Sequence, residues 1–466
     1  LTGPGPGIGI ARLLDNIGFP PDRIPALRCS MRFASAASRL LMASLLFLTA
    51  SQIRAEEGDW NQFRGPHADG STTETGLPVK FGEDSPEVLW KTPINGRAWS
   101  SPVVQGSQVW VTNAPEVVRL ANEFEVLKLD KPLRLSAVCL DLETGRVVHD
   151  ITVFEVSTPQ YTHATNGYAS PTPWIEEGRI WVHFGSYGTA CLDTKTGKKL
   201  WERTDLKCNH WRGPGSSPVV DGDHLFLSFD GFDKQFIVCL NKNTGETIWQ
   251  KDRGIDYGTD NGDAKKAYST PRIIEADGRR VLVSPFAMAT IAYDLKTGDP
   301  VWSVRHGGMN AAGRPLFGNG LVYINAGDGK DALIAVKPEG TGDISKSAIT
   351  WRTGRLVPKR PSQILVGEDF FMMNDDGVLT CLNAVTGEER WSKRLDGKYW
   401  ASPLYAEGRL YFFSQDGRVF VVKAAHEFEL LAENKLGDGF TASPAVAGRS
   451  LILRSHSHVY RVAKKD

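Results

Sequence analysis

The 466 residues carry 54 basic and 54 acidic side chains, so the formal charge is zero. That balance argues against a nucleic-acid surface or a polybasic membrane patch. The 47 glycines and 13 tryptophans suit a large, turn-rich β protein with an ample core.

Leu1–Ser30 are rich in Gly and Pro and precede a natural start at Met31; they read as an over-extended start or a disordered segment. Residues 31–55, MRFASAASRLLMASLLFLTASQIRA, have the form of a secretory signal peptide. Arg32 and Arg39 flank its short n-region, Leu40–Ala50 is the apolar run, and Ala55 is the cleavage point. The run is too short to span a bilayer as a helix, which takes about 20 residues. The mature chain is therefore expected to be periplasmic or secreted, with no transmembrane helix. Residues 56–87 form an N-terminal leader segment, and 88–466 carry the repeats.

A Ser-Pro pair or a variant recurs ahead of an apolar strand, a tight turn and a second strand. The copies are Ser101-Pro102, Ser170-Pro171, Ser217-Pro218, Thr270-Pro271, Arg314-Pro315, Arg360-Pro361, Ser402-Pro403 and Ser443-Pro444. Between them runs a second element: CLDTKTGKKLW (191–201), CLNKNTGETIW (239–249), AYDLKTGDPVW (292–302) and CLNAVTGEERW (381–391). Asp or Asn opens a turn, Thr-Gly supplies the positive φ, and the Trp of the next strand packs on a neighbouring unit. A repeat in this range of length marks a solenoid or a propeller. Four strands per unit and eight units predict an all-β, eight-bladed β-propeller of four-stranded antiparallel blades. The last unit lacks its outer strand, and EVLWKTP (87–93) with Trp90 supplies it, closing the ring. His149 stands at the Trp position of unit one and Leu431 at that of unit seven, while unit five has Lys337 at the Asp position and a longer turn before Trp351.

Cys139, Cys191, Cys239 and Cys381 occupy equivalent positions and read as small buried hydrophobes, and Cys208 as a free loop thiol. No Cys/His spacing fits a metal, and no catalytic motif is present, so neither metal ligands nor catalytic residues are assigned.

The turns inside each first hairpin are short, whereas the loops between blades and between second and third strands are long and emerge on one face, the expected binding side. Three residues before the Ser-Pro prolines stand Trp99, Tyr168, Tyr268 and Trp400, with Gly215, Ala312, Pro358 and Thr441 in the other copies. The four aromatics are either a stacking platform at the channel mouth or packing between blades. Arg97, Arg314 and Arg360 are the candidate clamp for an anionic ligand. His163, His210, His306 and Lys266, among other polar residues of these loops, read as solvated.

Ala292, Asp294, Gly298 and Trp302, with the near copies around Trp201, Trp249 and Trp391, resemble the tryptophan-docking repeat of pyrroloquinoline-quinone (PQQ) propellers. The resemblance covers about residues 88–466. WNQFRGPHADG (60–70) is similar to the leader of exported PQQ-like proteins of planctomycetes. The superfamily implies two activities: the non-enzymatic BamB-type scaffold, and the quinoprotein alcohol or sugar dehydrogenases that use PQQ and calcium. The dehydrogenases carry adjacent cysteines over the cofactor; no Cys-Cys pair occurs here, and their Glu/Asn/Asp calcium set matches no motif of this chain. The resemblance thus implies a non-catalytic binding protein for a protein or envelope partner. A PQQ- and calcium-dependent oxidoreductase is the alternative, and a carbohydrate-binding propeller is third.

Overall fold

A computed structural model describes residues 59–96, 98–115 and 131–465; the segment 1–30 and the expected signal peptide at 31–55 lie outside the described residues. Alternating strands and Thr-Gly turns produce eight sheets, the blades of an eight-bladed propeller. Blade 3 is typical, with Val219–Asp221 innermost, then His224–Asp230, Gln235–Asn241 and Thr247–Asp252 outermost, all antiparallel. Val88–Pro93 is the outermost strand of blade 8 and pairs antiparallel with His458–Ala463. Among the described residues helix is confined to two short 3-10 turns, and no helix is long and apolar enough to cross a membrane.

The outer pair of strands in each blade contains a β-bulge. In blade 3 Cys239 faces Trp249 but Leu240 faces Thr247, which leaves Ile248 as the extra residue. The same offset corrects the sequence alignment of blade 7. Ala432, opposite Val421, holds the Trp position there, and Leu431 is the extra residue.

The Trp of blades 2, 3, 5, 6 and 8 docks on the next blade's turn. The Trp201 indole N–H donates to the Lys242 carbonyl at 2.8 Å, and Trp90, Trp249 and Trp351 donate likewise to Leu142, Leu295 and Ala384. The ring lies over the turn glycine. Gly245 has φ +76°, and a Cβ there would sit 2.7 Å from the Trp201 ring. Gly245→Ala is therefore expected to cost about 1–3 kcal/mol, from backbone strain and overpacking together. Gly106→Ala, at φ +53° with open space around it, isolates the backbone part. Equal melting losses for the two variants would refute the docking account.

Two outer strands gain further cover from the chain itself. The long turn of blade 5 contributes Gly342–Asp343, which pairs parallel with Pro300–Arg305 as a fifth strand of blade 4. In blade 7, Gly82 forms a parallel bridge with Lys435, and Asn434 accepts from the Phe81 N–H at 2.9 Å.

The segment from 59 to 72 crosses the channel. Trp60 bridges Val104 of blade 1, the Ile175 N–H of blade 2 donates to Asn61, and Ser71 bridges Tyr405 of blade 7. Between them Arg64 donates to the carbonyls of Pro403 and Gln363, and Arg314 to that of Phe63. Phe63 thereby becomes a floor.

Candidate functional site

The innermost strands enter the ring through a belt of hydroxyls. The backbone N–H of Ser101 donates to Thr172 Oγ1 (2.9 Å), Thr172 to Ser217 (3.0 Å), and Ser217 to Thr270 (2.9 Å). On the far side Arg314 donates to Ser362 (2.9 Å), Ser362 to Ser402 (3.0 Å), Ser402 to Ser443 (3.0 Å), and Ser443 back to Ser101 (3.1 Å). Seven blades supply the hydroxyl, and blade 5 supplies Arg314 instead.

This belt moves two of the sequence-aligned pairs by two residues. The equivalent position in blade 2 is Thr172, not Ser170, and in blade 6 it is Ser362, not Arg360. In both places a nearby proline mimicked the motif: Pro171 precedes Thr172-Pro173, and Pro361 precedes Ser362-Gln363.

The corrected register explains the mouth of the channel. Two residues before the belt stand Trp99, Ser170, Gly215, Tyr268, Ala312, Arg360, Trp400 and Thr441. All eight, one per blade, line a cavity of about 220 Å³ whose floor includes Phe63. Trp99, Tyr268, Trp400 and Arg360 are thus brought together. Tyr168 is not; it is buried between blades, its hydroxyl donating to the Gln160 carbonyl (2.8 Å) and its ring set edge-on to Tyr187. Arg314 sits one layer deeper, buried, with its Nε donating to the Pro271 carbonyl at 3.2 Å. Arg97 lies outside the described residues.

Charge in the cup is paired. The Arg360 guanidinium lies 4.4 Å over the Trp400 ring and 2.5 Å from Asp375, which also accepts from the Lys359 N–H. Lys359 Nζ reaches Asp328 at 2.6 Å, and Asn310 donates to the same carboxylate at 3.1 Å. Burial works against the Asp328 charge, but these two donors hold it below the ordinary carboxylate range. Arg212 reaches Asp263 at 3.2 Å; that aspartate lies within the short turn Gly262–Lys265, which Asn261 caps, and takes Lys266 at 2.5 Å. Lys266 is therefore buried and paired rather than solvated. Gly215 is small for a reason: a Cβ there would meet Tyr268 Cβ at 2.8 Å.

His210 is buried too, contrary to the solvated reading. Its Nε2 accepts from the Ser186 N–H at 3.0 Å, and burial draws it down to about 4. His183, which carried no sequence signal, lies beside Phe229 and is drawn to about 3 by burial and by His210. Cys208 lies 3.6 Å from His210, and burial pushes its thiol up to about 12, so it is no nucleophile at neutral pH.

The donor set does not fit the dehydrogenase cofactors. Calcium takes six to eight oxygens, whereas the one carboxylate lining the cup, Asp328, is committed to Lys359. Among the lining residues there is no histidine, cysteine or glutamate to act as base or as a metal ligand. The volume also falls below the roughly 300–1,000 Å³ of drug-sized ligand pockets.

Among known proteins, the outer membrane protein assembly factor BamB of Legionella pneumophila (strain Paris) is 22% identical over 52% of this chain and 48% of its own. Tetrathionate hydrolase of Acidithiobacillus ferrooxidans is 24% identical over 51% of this chain and 47% of its own. The chain thus spans about half the length of these curated relatives. A solved europium-containing methanol dehydrogenase shares the fold at a TM-score of 0.62, with 12% identity, over 88% of this chain and 91% of that one. The profile of the PQQ_2 family, described as outer membrane protein assembly factor BamB, matches residues 233–466, half of the sequence. With its repeats, its blades and its docked tryptophans, the chain belongs to that family.

Proposed function

We propose that this protein is a non-catalytic binding protein of the cell envelope, exported by the signal at 31–55, that holds a protein partner through its long-loop face. The observation that carries this reading is the cup itself. Trp99, Tyr268 and Trp400 with a stacked Arg360 surround a volume suited to one or two partner side chains, and the neighbouring carboxylates are already ion-paired. Aromatic rings and arginine are the residues that dominate protein interfaces, and a floored pocket desolvates whatever enters it. Proton transfer would need a free acid or base near neutrality, and the cup's groups are tied up as pairs. Relatives named as outer membrane protein assembly factors support an envelope setting.

The test places a photo-crosslinking residue at Lys398, in the loop next to Trp400, in the full chain expressed in its own cells. A discrete protein adduct is expected, reduced at least tenfold by Trp400→Ala or Trp99→Ala with the melting temperature held. An adduct indifferent to both variants would refute the cup as the docking site. Stoichiometric binding of PQQ and calcium with dye-linked alcohol oxidation would replace the scaffold reading by the dehydrogenase.

A further inference from the structure

The bulge residue of the outermost strand is aliphatic in six consecutive blades: Leu431, Leu89, Val148, Leu200, Ile248 and Val301 in blades 7, 8, 1, 2, 3 and 4. Their surroundings divide sharply. Leu89 is 47% exposed, Val148 46%, Leu200 49% and Ile248 43%. Leu431 and Val301 are half-buried.

The two half-buried positions are on the two blades whose outer edges the chain covers itself. In blade 4, Gly342 lies opposite Trp302 and Asp343 opposite Ser303, the Ile344 N–H donates to the Ser303 carbonyl at 2.9 Å, and Ile344 and Val301 share one apolar cluster. In blade 7, Gly82 bridges Lys435 in the same parallel sense, and Phe81 and Leu77 share a cluster with Leu431. The two covering segments are unrelated in sequence: one precedes the first blade, and the other is the long turn inside blade 5. Each nevertheless runs parallel to the outer strand, pairs through a glycine and places a bulky apolar residue within two positions of it.

We propose that the outer strands of blades 8, 1, 2 and 3 are docking edges that take extended segments of a protein partner in the way blades 4 and 7 take the chain's own. An edge strand with unpaired backbone groups and an exposed aliphatic side chain is a template for strand addition. Backbone pairing supplies the hold, and the bulge aliphatic selects a segment with a bulky apolar residue beside a glycine. This surface is on the outer rim, away from the cup, and stands independently of the cup's role.

The probe is the chain's own covering sequence, a synthetic peptide of residues 75–84, titrated against the full mature chain with methyl NMR as the readout. Saturable shifts are expected at Leu89, Val148, Leu200 and Ile248 up to about 1 mM peptide. A peptide with Phe81→Ser and Gly82→Pro should produce none. Leu200→Lys with Ile248→Lys should abolish the shifts in blades 2 and 3, leaving those in blades 8 and 1 and the melting temperature in place; Leu200→Ser with Ile248→Thr serves if the charged pair fails to fold. Absence of shifts at the top concentration, or shifts confined to the cup, would overturn the proposal. So would concentration-dependent self-association relieved by the same substitutions, which would assign the rim to a second copy of this chain.

Discussion

Acidification from pH 7 to about pH 4 is expected to destabilise the propeller by on the order of 5–10 kcal/mol; buried His183 and His210 account for about two thirds of the histidine contribution, and His306, drawn by burial to about 4, for the rest. Burial holds both rings neutral in the fold, His183 down to about 3 and His210 to about 4, against about 6.5 in an unfolded chain. The unfolded state therefore binds more protons in this window, and stability rises with pH there. The contribution is complete above pH 6.5 and is lost progressively as the pH falls toward the folded values. Each pH unit below 6.5 costs about 1.4 kcal/mol per neutral ring, so either ring alone accounts for about 3 kcal/mol by pH 4. Ion-paired carboxylates give way only lower, below about pH 5. Urea unfolding at half-unit steps between pH 7 and 5 should thus show a slope that His183→Asn and His210→Asn each reduce. A flat profile in that window would refute the assignment. The Ser186 N–H donated to His210 Nε2 also favours the neutral form of that ring, and His183 Nδ1 lies 2.7 Å from Thr189 Oγ1.

The second large effect is expected at Arg253 and Asp230, which join blade 3 to blade 4. Arg253 donates to both Asp230 oxygens, at 2.8 and 2.7 Å, and to the Tyr293 hydroxyl at 3.3 Å, while its guanidinium lies 4.6 Å over Phe286. Both side chains are buried. Burial pushes the Asp230 carboxyl up against the pull of Arg253. Burial also opposes the Arg253 charge, but Asp230 and Tyr293 outweigh it and the guanidinium is held charged. Arg253→Ala strands Asp230 in an apolar seam and should cost about 3–5 kcal/mol. The pair Arg253→Met with Asp230→Leu should recover most of that loss, because no charge is then buried alone. If the double variant is no more stable than Arg253→Ala, the pairing argument fails.

The fold was legible because its signals are local. A turn glycine, an Asx residue four before it and a Trp four after it are set by one hairpin, and eight hairpins repeat. The mouth of the channel was only half legible. Trp99, Tyr268 and Trp400 follow from spacing to an unambiguous Ser-Pro or Thr-Pro. Tyr168 was misaligned because Pro171 and Pro173 flank the true belt residue Thr172, and only the hydrogen bonds between blades separate the two registers. Arg360 stands out by its charge, although the same two-residue offset puts Pro358 in its place. Arg314, a mouth candidate by its charge, sits at the belt position itself, one layer below. The floor was invisible. Phe63 and Arg64 touch residues hundreds of positions later, and nothing in WNQFRGPHADG distinguishes a segment threaded through a ring from one lying beside it.

The pairing of Val88–Pro93 with His458–Ala463 has a consequence in time. Glu83 and Tyr460, bonded across this seam, are 377 residues apart. At roughly 5–20 residues per second of synthesis, the early strand waits on the order of 20–75 s for its partner to exist. During that wait its unsatisfied edge and the apolar side chains of Trp60, Phe63, Leu77 and Phe81 have no native counterpart to meet. The seam that completes the ring is thus also its longest vulnerability to misassembly. Variants that speed degradation or aggregation in cells while sparing the purified protein should concentrate among residues 59–93.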